Sequence, residues 1–189
     1  MKVIKHLFVL LTVLGVAQGC NSGTAVAKPA KEVDWKTNLK SVLPLLGHRN
    51  WILIVDKAFP MQNGSGITYI NSNEMLLPVL TFALAEINNS THIKPIIYQD
   101  KELSYITEDQ SKGVKQLAES IKQVLGRNKA QQIPHDSVFM KIDEAAKLFN
   151  VFVIKTNETI PYSSVFLQLD CAYWNAEKEA ALRGSMIKR

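Results

Sequence analysis

Four side chains in this sequence could move a proton or bind a hydroxyl group: His48, Asp56, His135 and Tyr162. His48 stands in Gly47-His48-Arg49-Asn50, and Asp56 follows eight residues later, directly after the apolar run Trp51 to Val55 (WILIV). Imidazole titrates near neutrality, at about 6.5 when unperturbed, so it can give or take a proton there; a lone histidine is also commonly structural or simply exposed. A carboxylate at the end of a buried strand serves either as a ligand contact or as a loop cap. His135 follows Pro134 and opens a helical pattern, as a reacting group or as a first-turn residue without a role. Tyr162 follows Pro161, just before the apolar run Val165 to Leu169. It either covers the sheet edge or offers its ring to stack on a sugar and its hydroxyl to bond one.

Other chemistries lack their residues. His92 lies in a polar turn and His6 near the N-terminus. No two histidines have metal-site spacing, and there is no Cys-x-x-Cys, so no metal is expected. Neither a Gly-x-Ser-x-Gly elbow nor a phosphate-binding glycine loop occurs, which sets aside the usual hydrolase and nucleotide sites. The net charge of +5 falls to +3 without Lys2 and Lys5, and the remaining bases are scattered among acids. With no basic stripe, nucleic acid is not an expected partner.

The elements that must hold these residues follow from periodicity. Asp34 can cap a helix with Leu39, Val42, Leu43 and Leu46 on its apolar face, ending at Gly47. WILIV reads as a strand buried on both faces. Ile67 to Ile70, Lys94 to Tyr98, Val151 to Ile154 and Val165 to Leu169 read as further strands, with a short one at Gln131 to Ile133. Helices are expected over Leu77–Ile87, Asp109–Leu125 and Asp136–Phe149, and from a cap at Asn175 to about Met186. Strands and helices alternate, which predicts a three-layer α/β/α fold with a mainly parallel central sheet. Ligands of such sheets bind beyond the carboxyl ends of the strands.

The N-terminus carries a different message. Lys2 and Lys5 precede an apolar run, Leu7 to Val16, then Ala17, Gly19 and Cys20. That order predicts an export signal over residues 1–19, too short to span a bilayer, which needs ~20 apolar residues. Cys20 is the expected lipid-accepting N-terminus of a bacterial lipoprotein facing the periplasm or the cell surface; the alternative is a simple secretory signal. Residues 20–32 read as a flexible tether and residues 33–189 as one domain. Cys171 is the only other cysteine, so no disulfide framework is expected.

Two blocks then carry a family resemblance. Leu46-Gly47-His48, a strand, Asp56 and Phe59-Pro60 form the first, and Ile154 to Tyr162 (IKTNETIPY) forms the second. In this order they resemble the D-ribose pyranase / L-fucose mutarotase (RbsD/FucU) family, over roughly Leu39 to Leu169. The resemblance implies an RbsD-like fold and interconversion of ring or anomeric forms of a free monosaccharide, without metal or organic cofactor. It implies His48 as the general acid/base, with Asp56, His135, Tyr162 and the position of Ser164 as sugar contacts. It also implies a ring-shaped homo-oligomer with sites near subunit contacts; the membrane is expected to be met only through the lipid anchor at Cys20, a reading that comes from the N-terminal segment and not from the resemblance. The sequence departs from the family at Ser164, where an Asn is usual, and at Asn157, where a Gly is usual. Three readings follow: an isomerase, a sugar-binding surface lipoprotein without turnover, and a structural subunit that has lost its site.

Overall fold

The computed structural model describes residues 34–187; the expected signal, lipid-accepting Cys20 and the whole of the tether lie outside them. Six strands form one sheet: β1 (Trp51–Val55), β2 (Ile67–Asn71), β3 (Ile93–Asp100), β4 (Gln131–Ile133), β5 (Val151–Lys155) and β6 (Val165–Cys171). Their order is β2-β5-β1-β6-β3-β4. β1, β2 and β5 run parallel, as do β3 and β4, while β6 lies antiparallel between β1 and β3. The sheet is therefore mainly parallel, as the alternation predicts, with one reversed strand at its centre.

Helices cover both faces because successive side chains of a buried strand point to opposite sides. Ile52, Ile54, Phe152, Ile154, Val165 and Leu167 join α1 (Trp35–Val42), α2 (Leu76–Asn88) and α3 (Val114–Leu125) in one core. Leu53, Val55, Val151, Val153 and Phe166 face α4 (His135–Ala146) in the other. α5 (Ala176–Ile187) has no buried residue. Among the described residues, no helix is long and apolar enough to cross a membrane.

Several boundaries differ from the sequence reading, and three of them have a clear local reason. α1 stops at Val42 and the chain continues as a 3-10 turn, Leu43–Leu45, because Pro44 has no N–H for the helix ladder. α3 begins at Val114 rather than Asp109, since Gly113 sits at φ 84 and breaks the helical path; Glu108 then accepts from the N–H groups of Gly113 and Lys115. β3 runs on past Tyr98 to Asp100, through the buried polar residues Gln99 and Asp100. A polar pair would end a solvent-facing strand, yet here β4 and β6 pair with β3 on its two sides and carry it on.

Candidate active site

The carboxyl ends of β1, β3, β4 and β5 and the amino end of β6 meet at one end of the sheet. Asp56 leaves β1 there and its carboxylate is held on both sides. Oδ1 accepts from the Ala58 N–H at 2.9 Å, and Oδ2 accepts from the Ser164 hydroxyl at 2.8 Å. The same hydroxyl oxygen accepts the Asp56 N–H at 3.1 Å. Lys155 Nζ donates to the Phe59 carbonyl at 2.6 Å and fastens the loop that follows.

The β5–β6 connection is built around a buried acid. Glu158 Oε1 accepts from the N–H groups of Thr159 and Ile160, while its own carbonyl accepts from Lys57 N–H. Thr156 ties the connection to β1 through the Val55 carbonyl. The turn so fixed throws Tyr162 into left-handed backbone at φ 57, a conformation that costs an ordinary residue about 1–2 kcal/mol. The residue is 37% exposed. Strain of this kind persists where the surrounding contacts over-determine the backbone, and it gathers at functional sites.

His135 is the first residue of α4, and its N–H donates to both carboxylate oxygens of Glu102, at 3.0 and 3.1 Å. The ring packs edge-on against Tyr162 and Phe139, with centroids 5.1 and 4.8 Å apart. Nδ1 points inward and stands 3.1 Å from Oδ2 of Asp100, which is 1% exposed. The approach falls outside hydrogen-bond geometry, so among the described residues neither Asp100 oxygen nor Nδ1 has a hydrogen-bond partner. Burial pushes Asp100 up to about 6, against the attraction of His135 and with the repulsion of Glu102 and Asp56.

These parts enclose an open cavity of about 480 Å³ lined by Asp56, Phe59, Pro60, His135, Pro161 and Tyr162, among others. That volume is within the range of small-ligand pockets, roughly 300–1,000 Å³. A carboxylate acceptor, an imidazole and two aromatic rings converge on it. The set can orient a polyhydroxylated ring, cover its C–H face and exchange a proton with it. Among the described residues, no three His, Cys, Asp or Glu side chains gather to hold a metal ion.

Of the five expected site residues, Asp56, His135 and Tyr162 come together. Ser164 does not line the cavity: it is 1% exposed and its hydroxyl is spent on Asp56, so it positions the carboxylate instead of facing a ligand. His48 does not join them within one chain. It precedes β1 while Asp56 follows it, and a strand of five residues separates the two ends by about 17 Å. At that opposite end His48 Nδ1 lies 3.0 Å from Asp170 Oδ1, Arg49 Nε donates to His48 Nε2 at 3.3 Å, and Lys94 Nζ is 3.4 Å from Asp170 Oδ2. His92 serves structure there, one ring nitrogen lying 3.1 Å from the Leu46 carbonyl oxygen.

Two groups escaped the sequence reading. Glu158 lies within the second block with no role assigned to it, and Asp100 lies two residues beyond the strand expected to end at Tyr98. The available signal was position: Asp100 ends an apolar run (IIYQD) as Asp56 does (WILIVD).

Comparison with known proteins bears on the whole domain. Residues 35–171 match the sequence model of the RbsD / FucU transport protein family. No curated protein sequence matches the chain. Among solved structures, the fold is similar to the fucose mutarotase of Streptococcus pneumoniae in complex with L-fucose: 13% identity, TM-score 0.50, 70% of this chain and 91% of that one. RbsD of Bacillus subtilis complexed with D-ribose aligns at 20% identity and TM-score 0.49, over 71% of this chain and 92% of that one. FucU of Bifidobacterium longum aligns at 19% identity and TM-score 0.49, over 74% and 98%.

Proposed function

This chain belongs to the RbsD / FucU transport protein family, and from that premise we propose that it interconverts ring or anomeric forms of a free aldose by general acid–base catalysis. The observation that carries the reading is the convergence of His135, Asp56 and Tyr162 on one open cavity beyond the strand ends. Opening a cyclic hemiacetal needs a proton delivered to the ring oxygen and another removed from the anomeric hydroxyl. A histidine can do either near neutrality, and such help is worth about 10²–10⁴-fold. Asp56, locked by Ser164 and Ala58, accepts bonds from sugar hydroxyls. Tyr162 covers an apolar face of the ring.

His48 takes part only when a second copy brings it to this cavity. It lies at the opposite end of the sheet and is 55% exposed, beside the exposed Met140 and Leu148. A contact of one copy's His48 end with another's Asp56 end is heterologous, and such contacts close into rings when the rotation permits. The proposed assembly is therefore a homo-oligomeric ring, with His135 and a neighbour's His48 as the two proton carriers. Residues 1–19 are proposed as the export signal and Cys20 as the lipid anchor.

Exchange NMR on a panel of aldoses tests the function. Magnetisation transfer between anomers or ring forms should quicken with the protein for at least one sugar. Sugar binding with no quickening of exchange would replace the isomerase with a binding protein, a reading that the withdrawal of Ser164 from the cavity favours. Co-assembly tests the shared site. His48→Ala and His135→Ala should each be inactive alone, and a one-to-one mixed ring should regain about a quarter of the activity, since one contact in four then joins intact partners. No recovery, in a ring verified by light scattering, would confine the site to one copy.

A further inference from the structure

The charged group most thoroughly removed from water at this end of the sheet is one that the proposed reaction leaves unused. Asp100 closes β3 beneath the first turn of α4 and is 1% exposed. Desolvating a carboxylate without compensating partners is costly, and the usual response is pairing or protonation. Asp100 has one neighbour suited to either: Nδ1 of His135, 3.1 Å from Oδ2. That nitrogen is itself buried and, among the described residues, without a hydrogen-bond partner. The other ring nitrogen, Nε2, is then the one left for the cavity that His135 lines.

The remaining charges around the pair do not satisfy Asp100. Glu102, on the turn after β3, spends both oxygens on the His135 backbone N–H. Asp56 is committed to Ala58 and Ser164, and both acids repel Asp100. Lys115, Lys122 and Glu119 of α3, and Lys129 beyond it, border a second cavity on the other side of Asp100, which forms part of its wall. Among the described residues, none of these lysines is ion-paired to Asp100; Lys122 pairs with Glu119. The buried carboxyl thus stands between two cavities and addresses the imidazole.

We propose that Asp100 is a positioning residue for His135: its carboxylate takes the Nδ1–H side of the ring, so that unprotonated Nε2 faces the cavity as the base. A small rotation of the ring brings Nδ1–H onto Oδ2. When Nε2 then accepts the proton of an anomeric hydroxyl, that oxygen becomes a carbonyl as the bond from the anomeric carbon to the ring oxygen breaks and the ring oxygen takes a proton from the second proton carrier. The imidazolium lies against a carboxylate and returns its proton to the carbonyl oxygen when the ring recloses. Nothing is oxidised or reduced, and no proton need leave Nδ1. The same logic operates wherever an acid fixes the tautomer of a catalytic histidine. The inference rests on the sugar-isomerase reading for its kinetic arm, and on the structure alone for its spectroscopic arm.

The test uses the full chain with ¹⁵N-labelled histidine, with Asp100→Asn and Asp100→Glu as variants. The imidazole ¹⁵N shifts of His135, assigned by comparison with His135→Gln, report which nitrogen carries the proton. Wild type and Asp100→Glu should hold the Nδ1–H form at neutral pH, while Asp100→Asn, whose amide can donate to Nδ1, should turn His135 to Nε2–H. Exchange NMR on the same samples should show kcat reduced about 10–10³-fold in Asp100→Asn with KM little changed, and a displaced pH profile, where a merely structural residue would lower the folded fraction and leave the profile in place. An unchanged His135 tautomer in folded Asp100→Asn overturns the proposal. Should wild type quicken no aldose, the isomerase reading falls, and the tautomer alone decides the role of Asp100.

Discussion

Each end of the sheet holds a histidine paired with an aspartate at almost the same distance, 3.0 Å for His48–Asp170 and 3.1 Å for His135–Asp100. Their surroundings make them different objects. Burial pushes Asp170 up, but the Cys171 N–H, Lys94 and His48 outweigh it and hold the carboxyl below its usual range. At Asp100 burial prevails and the carboxyl rises to about 6. The first pair is an ordinary, well-served surface contact. The second is a charge kept from water with a single neighbour, and perturbed groups of that kind gather at sites of chemistry. Pairing distance says little; what else each partner can reach decides the role.

Substitutions at the two pairs can break that contrast. The largest expected effect is kinetic: His135→Ala should slow sugar exchange by about 10²–10⁴-fold, measured by exchange NMR at saturating sugar. Next comes stability. Asp100 titrates higher folded than unfolded, so its share of stability is intact below the unfolded value of 3.8 and is lost as pH rises through about 6. Asp100→Asn should therefore be more stable than wild type by about 2–3 kcal/mol near neutrality, and by little near pH 4, in urea unfolding. Asp170 runs the other way: its contribution is present above its unfolded value and fades as pH falls, and Asp170→Asn should cost at most about 1 kcal/mol near neutrality. Equal responses from the two aspartates would erase the distinction.

Smaller effects sharpen the picture at the site end. Ser164→Ala strips a partner from Asp56 N–H and from Oδ2, and should cost about 1–3 kcal/mol by urea unfolding while weakening sugar affinity in titration calorimetry. Tyr162→Asn places a residue tolerant of φ 57 and should gain up to about 1 kcal/mol while lowering sugar affinity, which separates backbone strain from the ring's contribution.

Much of this was readable in the sequence, and the failures have physical causes. Continuous apolar runs such as WILIV and VFVI gave the buried strands, and Asp56, His135 and Tyr162 were found because each flanks such a run or a helix start. That His48 and Asp56 stand at opposite ends of one strand follows from their flanking it, because an extended strand carries its flanks apart faster than any other element; which copy's His48 faces a given Asp56 is a matter of assembly, and no local pattern records it. Ser164 is expected at the ligand by analogy of position; a short hydroxyl beside a carboxylate bonds it, as Ser164 bonds Asp56 here. Asp100 is not legible in the sequence because its burial comes from β4 and β6, whose residues pair with β3 from far along the chain, Ile133 with Asp100 and Val165 with Gln99, and no local pattern registers them. The reversed direction of β6 is equally a matter of long-range pairing.

The position of β6 also sets the order in which the molecule can assemble. It is the last strand in the chain and lies between β1 and β3, which do not pair with each other. β5, nearly as late, joins β1 to β2. A ribosome that has made residues 34–150 has therefore produced a chain whose only available strand pairing is β3 with the short β4. The apolar edges of β1, β2 and β3 wait together for residues 151–171. Such non-local closure slows folding and leaves unpaired edges exposed to other chains. A nascent chain stalled before residue 151 should thus be open to chaperones and proteases, and should close its sheet only after the final strands emerge.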